Sequence, residues 1–93
     1  MSEDARPDLP VPADPAAVAA LIQGRLNDLI GPDLKPVSLS LDFGPACGVA
    51  GRGTLVAEVD RRTRTLAFAR ARLTAPDGRL IATGSGVFSR PAG

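Results

Sequence analysis

The fold is decided by residues 65–89, which read TLAFARARLTAPDGRLIATGSGVFS. Pro76-Asp77-Gly78 is a strong turn signal, so the stretches on either side of it are predicted to form two antiparallel strands, 65–75 and 79–89. Side chains of a strand alternate between its two faces. Small residues follow one another along one face of each strand: Ala67, Ala69 and Ala71 in the first strand, and Ala82, Gly84 and Gly86 in the second. These rows predict a shallow trough in the sheet, and a trough needs a large object to fill it.

A helix is predicted over residues 15–30. Asp14 is suited to accept hydrogen bonds from the first amides, and Pro15 loses no bond at the first helical position. Gly31-Pro32 ends the helix. Apolar residues recur every three to four positions and give one stripe: Val18, Leu21/Ile22, Leu26 and Leu29/Ile30. This helix is the element predicted to pack in the trough. The sequence therefore predicts an α+β domain in which one long helix packs on a curved antiparallel sheet of about four strands.

Two further strands complete the predicted sheet. Residues 37–43, VSLSLDF, alternate between apolar and polar side chains, as a half-buried strand does. A strand over 52–60 precedes the strand over 65–75, and the tight connection 61–64 makes the two a hairpin. Residues 1–13 carry three prolines and four charged residues without apolar periodicity. They are predicted to form a flexible N-terminal arm, with the domain spanning 14–93.

Composition excludes several function classes. The chain has 93 residues, which is one small domain, and its net charge is only +1 with 3% aromatic residues, so no nucleic-acid-binding face is predicted. It contains no histidine, which excludes Ser-His-Asp and Cys-His nucleophiles within one chain and His-ligated metal sites. No metal, cofactor or membrane partner is predicted. The single cysteine, Cys47, favours a reducing compartment, and a cytoplasmic location is expected.

Three stretches carry a resemblance to a known family. They are residues 37–43 followed by Pro45-Ala46 and Gly48; residues 59–68, VDRRTRTLAF; and residues 77–88, DGRLIATGSGVF. In their order and spacing they resemble the hotdog-fold acyl-CoA thioesterase superfamily, in particular its phenylacetate-pathway-type thioesterases. The match covers about residues 15–89. It implies a hotdog fold in which strand 37–43 lies at an edge beside the last strand. It also implies a homodimer formed through that edge, with an acyl-CoA or another thioester at the dimer interface.

The resemblance also implies site residues and shows two departures. The family usually has a strand before the helix, so this chain is expected to be N-terminally shortened. Related thioesterases place a His-Gly-Gly-type segment at the helix start and a catalytic Asp or Glu further along. Those places fall on Asp14-Pro15-Ala16 and on Gln23, which can orient a water but cannot take its proton. Gln23 is thus the catalytic candidate. Arg61, Arg62 and Arg64 are the candidates for binding the phosphates of coenzyme A, with Thr63 where the family often has Gly.

Each candidate has a plainer interpretation. Gln23 is also explained as a polar residue at the border of the apolar stripe, and the arginines as a solubilising hairpin tip. The remaining acids are interpreted as surface charges: Asp28 on the helix, and Asp42, Glu58 and Asp60 on strands, pairing with Arg70 or Arg72. The predicted function is an acyl-CoA thioesterase-like protein that hydrolyses or binds acyl-CoA. The alternatives are a non-catalytic acyl/CoA-binding or dimerisation module, and a subunit whose partner supplies the missing strand.

Overall fold

A computed structural model describes residues 3–91, which form one α-helix and five β-strands. The elements are β1 (Glu3–Val11), α1 (Pro15–Ile30), β2 (Lys35–Phe43), β3 (Gly51–Arg62), β4 (Leu66–Thr74) and β5 (Leu80–Ser89). The strands make one sheet in the order β1-β3-β4-β5-β2, and all four pairings are antiparallel. Helix α1 packs on β2, β3, β4 and β5. The predicted α+β arrangement of a helix on an antiparallel sheet is confirmed and is compatible with a hotdog fold, but the sheet has five strands rather than about four.

The additional strand is β1, so the prediction of a flexible arm and a missing first strand was wrong for residues 3–11. β1 lies at the sheet edge and pairs with β3. Its pairing is interrupted between Arg6 and Leu9, where Asp8 has a positive φ of 54°. Arg52 holds this bulge, since its Nε donates to the Asp8 carboxylate at 3.0 Å. Edge strands and bulges are the places where a sheet tolerates proline. Residues 1 and 2 of the predicted arm lie outside the described residues.

Helix α1 begins and ends as the sequence predicts. The Asp14 carboxylate accepts a hydrogen bond from the Ala16 amide at 3.1 Å, and proline occupies the first turn. At the other end Gly31 has a φ of 89°, and its amide donates to the Asn27 carbonyl. The buried residues follow one stripe of the helix: Val18, Ile22, Leu26 and Ile30. Their four-residue spacing directs a single apolar face at the sheet.

The small-residue trough lies directly under this face. In the β4–β5 pairing Ala71 lies opposite Gly84, and Ala69 lies opposite Gly86. A Cβ atom added to Gly84 would lie 2.6 Å from Cγ2 of Ile22. The helix therefore approaches the β5 backbone so closely that only glycine fits beneath Ile22. The predicted role of these small residues, close approach of helix and sheet, is confirmed.

Candidate functional site

Gln23 lies near the middle of α1, half-buried beside the fully buried Ile22. Its side chain has no hydrogen-bond partner among the described residues. Asp28, the next carboxylate along the helix, has a side chain that is 74% exposed, with Arg25 3.9 Å away. Five residues correspond to about 140° of rotation around a helix, so Asp28 points away from Gln23. Helix α1 therefore supplies a polar amide at the predicted catalytic position, and its next carboxylate does not assist it.

The helix N-terminus is the second part of the predicted site. Its free amides carry partial positive charge, which can polarise a carbonyl group. Here the Asp14 carboxylate accepts from the Ala16 amide, so one of these donors is already occupied by the chain itself. Gln23 lies seven residues beyond Ala16, or about 10 Å along the axis. These two parts of the predicted site do not converge within a single copy of the chain.

The three candidate arginines lie at the β3–β4 hairpin, but they point in different directions. Arg61 and Arg62 belong to β3 rather than to the connection, which comprises only Thr63–Thr65. Arg61 is paired with Phe68, and β4 alternates buried Ala67 and Ala69 with exposed residues, so Arg61 shares the outer face of the sheet with Phe68. Arg62 follows it and therefore points to the opposite, helix-bearing face.

Arg62 makes a contact that ties the hairpin to the helix. Its Nη1 donates a hydrogen bond to the Ile30 carbonyl at 2.8 Å. Ile30 ends α1, whose last turn contains no basic residue. The last carbonyls of a helix lack intrahelical partners and carry partial negative charge, so a guanidinium group there is stabilising. Arg62 is thus a structural cation at the helix C-terminus, a role that the sequence analysis missed.

Arg64 lies at the exposed tip, where the turn is closed by side chains. The Thr63 hydroxyl accepts a hydrogen bond from the Leu66 amide at 3.0 Å. Arg90, which follows β5, donates from Nε and Nη2 to the Arg64 carbonyl at 3.3 and 3.2 Å. The turn is therefore fixed by its own threonine and by a neighbouring arginine. The side chains of Arg61 and Arg64 make no hydrogen bond or ion pair with the described residues, and they remain the available cations of the predicted cluster.

The strand carboxylates are surface ion-pair partners, as predicted for two of the three. Arg70 on β4 contacts Glu58 at 2.7 Å and Asp60 at 3.1 Å. The hydrogen bond that Arg70 donates to the Glu58 carboxylate and the charge of Asp60 raise the pKa of Arg70 above its ordinary value. These groups lie on the outer face, opposite α1. No ion pair joins Asp42 to Arg70 or Arg72 among the described residues. The outer face therefore holds a structural ion-pair network rather than a pair of catalytic carboxylates.

The edge strand β2 is the remaining feature of the predicted interface. One side of β2 pairs with β5, and no described strand covers the other. The placement of this strand at the edge, beside the last strand, is as expected. Val37 is 62% exposed and Phe43 is 48% exposed, although both belong to an apolar alternation. The register shifts between Pro36 and Ser38, which interrupts the start of the edge and leaves 38–43 as a regular strand.

Among residues 3–91, no three His, Cys, Asp or Glu side chains are grouped so that they could hold a metal ion. Over the same residues, no helix combines the length and apolar character needed to cross a membrane.

Comparison with known proteins finds no protein-family model that matches this chain and no significant match among curated proteins.

Proposed function

We propose that this chain is an acyl-CoA thioesterase-like hotdog protein that binds acyl-CoA, or another acyl thioester, at the interface of a homodimer. The observation that carries the proposal is the sheet order β1-β3-β4-β5-β2, with the strand that follows the helix left at an edge. This is the arrangement that the resemblance of residues 37–43, 59–68 and 77–88 implies. The presence of β1 supports the proposal further, because it removes the apparent departure at the N-terminus. It also weakens the alternative in which a partner supplies a missing strand.

The proposed dimer joins two copies of β2 into a continuous sheet. An unpaired edge strand with apolar alternation favours pairing with another strand. In an antiparallel pair, opposite residues point to the same face, so the two-fold axis must pass through a residue and not between two residues. An axis at Ser40 puts Leu39 opposite the second copy's Leu41. It also brings the exposed Val37 of one copy towards the exposed Phe43 of the other. An axis at Asp42 would oppose two like charges and is disfavoured.

A cysteine scan tests this dimer and its register. In a Cys47→Ala background, Ser40→Cys is expected to form a covalent dimer on mild oxidation, since directly opposite Cα atoms lie within disulfide range. Ser38→Cys is the matched control on the same face of β2, because its copies would lie about four residues apart along the strands. Light scattering should give twice the chain mass before oxidation. A monomer, or equal cross-linking of the two variants, would contradict the proposed interface.

The proposed ligand contact is between the hairpin arginines and the phosphates of coenzyme A. Guanidinium groups bind phosphate through paired donors in a fixed plane. The side chains of Arg61 and Arg64 are available for this contact with all their donors, whereas one donor of Arg62 is held by the Ile30 carbonyl. Titration calorimetry with coenzyme A is expected to show binding that Arg64→Gln weakens about tenfold. Arg72→Gln is the matched control, since Arg72 is an exposed arginine two strand positions beyond Arg70. Equal losses in both variants would indicate non-specific charge attraction.

Hydrolysis is tested separately at Gln23. The wild-type protein is incubated at high concentration with short, aromatic and long acyl-CoAs, and release of the free thiol is measured. If Gln23 orients the attacking water, turnover falls in Gln23→Ala and rises in Gln23→Glu, which restores a group able to accept the proton. Coenzyme A binding serves as the check that both variants keep the site. No turnover with any acyl-CoA, in the wild type or in Gln23→Glu, would reject the enzymatic function.

The second candidate is a non-catalytic module that binds acyl-CoA or only dimerises. It is favoured by Gln23 itself, a group that cannot ionise, and by the outward direction of Asp28. Coenzyme A binding without turnover distinguishes this candidate from the enzyme, and a stable dimer without coenzyme A binding identifies the simpler dimerisation role.

We also propose a cytoplasmic location, since a single free cysteine suits a reducing compartment.

A further inference from the structure

A cleft of about 370 Å³ opens at the end of the sheet opposite the basic hairpin. One wall is the loop that joins β2 to β3, and the other is the turn that joins β4 to β5. We call it the turn cleft. Its volume lies within the range of about 300–1,000 Å³ that small-molecule sites occupy. None of the candidate residues discussed above lines it, so it is independent of the proposed thioester site.

Both walls of the turn cleft are held in place by backbone hydrogen bonds. In the first wall the Gly44 amide donates to the Ile81 carbonyl at 2.8 Å, and the Ala46 amide donates to the Leu80 carbonyl at 3.0 Å. In the second wall the Ala75 amide donates to the Arg79 carbonyl at 2.9 Å. A ligand would therefore enter a formed site and would not have to order a loop, which improves affinity for a given number of contacts.

The lining of the turn cleft is apolar at its base and presents two arginine side chains at its rim. Val11 and Ile81, both 4% exposed, form part of the base. Val49 in the wall is 73% exposed, so a ligand can cover apolar surface that the chain leaves open to water. The charged lining residues are Arg52, Arg79 and Asp77. Asp77 pairs with Arg79, and Asp8, beside the cleft, pairs with Arg52, so the rim carries two guanidinium groups but no net charge.

The two rim arginines are oriented but not saturated. Arg79 donates from Nε to the Asp77 carboxylate at 2.9 Å, and Arg52 donates from Nε and Nη2 to Asp8. A guanidinium group has five N–H donors, so each arginine keeps donors for a further acceptor. These ion pairs restrict the arginine side chains, which lowers the entropy lost when a ligand binds.

We infer that the turn cleft binds a small monocarboxylate with an apolar body, the carboxylate contacting Arg52 and Arg79 and the body covering the exposed Val49 above the base formed by Val11 and Ile81. A carboxylate suits the guanidinium groups because it accepts paired, charge-assisted hydrogen bonds. A neutral ligand of equal size would gain only the apolar contact. The inference does not depend on the proposed thioesterase-like function and holds for either of its alternatives.

The experiment is an NMR titration of the full-length ¹⁵N-labelled protein with hexanoate, and with hexanol as the uncharged probe of matched length. Hexanoate is expected to bind saturably with a Kd of about 1 mM, as a ligand of so few atoms allows. The shifted amides should be those of residues 46–52 and 75–81. Hexanol should bind at least about tenfold more weakly. No saturable shift, shifts centred elsewhere, or equal affinity for hexanol would overturn the inference.

Two variants separate the charged and apolar contacts. Arg79→Gln is expected to weaken hexanoate binding about tenfold and to leave hexanol binding unchanged. Val49→Asp should abolish hexanoate binding, because it places a negative charge and a polar group in the wall. Both residues are exposed, so both variants should remain folded. Arg72→Gln, which removes an exposed arginine outside the cleft, controls for net charge. Equal weakening by Arg79→Gln and Arg72→Gln would refute the site.

Discussion

Gly84 provides the most direct test of how the helix packs on the sheet. A Cβ atom at this position would lie 2.6 Å from Cγ2 of Ile22 and 3.0 Å from Cδ2 of Leu41. Carbon atoms do not approach each other so closely, so Gly84→Ala must displace α1 or force Ile22 from its rotamer. Overpacking of this kind costs about 1–3 kcal/mol. Replacing a glycine within a strand by alanine also stabilises the folded state by roughly 0.5–1 kcal/mol, because alanine loses less conformational freedom on folding. We therefore expect Gly84→Ala to lower the free energy of unfolding by about 1 kcal/mol, the middle of the difference between these two terms.

The measurement is urea unfolding followed by circular dichroism, because the chain has no Trp or Tyr for fluorescence. Gly24→Ala is the matched control on α1, since nothing lies within 4 Å of its added Cβ. It should stabilise the protein by roughly 0.5–1 kcal/mol through helix propensity. Ile22→Leu removes Cγ2, so it should recover part of the loss when combined with Gly84→Ala. If Gly84→Ala stabilises the protein as Gly24→Ala does, the close packing of helix on glycine is wrong.

Two further predictions concern charged contacts. Arg62→Ala should lower the free energy of unfolding by about 1 kcal/mol, because it removes the hydrogen bond to the Ile30 carbonyl, while Arg61→Ala should change it little. Equal effects of these two variants in urea unfolding would argue against the helix contact. The backbone amide and the guanidinium of Arg79 hold the pKa of Asp77 below its ordinary value of 3.8, so its contribution is present above that pH and is lost as pH falls through the lowered pKa. Wild-type stability should therefore fall more steeply than that of Asp77→Asn between about pH 5 and pH 2, and parallel curves would refute this.

The main elements of the fold were predictable because each has a strong local signal. Asp14-Pro15 and Gly31 mark the ends of the helix. The turn signal Pro76-Asp77-Gly78 predicted strand ends at 75 and 79, each one residue from the observed ends at Thr74 and Leu80. β1 has no such signal. Its alternation is interrupted where the pairing shifts between Arg6 and Leu9, and its prolines are typical of unstructured segments. β1 is a strand because it pairs with β3, which lies about fifty positions further along the sequence. A strand specified by such distant contacts has no local sequence pattern that would reveal it.

The candidate site was less predictable, and the reason is a single bulge in β3. The register of β3 and β4 shifts between Val59 and Arg61, so Asp60 is an additional residue in β3. Simple alternation from the buried Val59 would direct Arg61 towards the helix and Arg62 outward. The bulge reverses both, since one extra residue exchanges the faces of everything beyond it. The bulge thus directs the Arg62 side chain to the C-terminus of α1 and the Arg61 side chain to the outer face of the sheet. The arginines are neighbours in sequence, but the bulge places Arg62 against the helix and Arg61 on the outer face. A phosphate site at this hairpin therefore relies first on Arg64 and Arg61, because one donor of Arg62 is held by the Ile30 carbonyl.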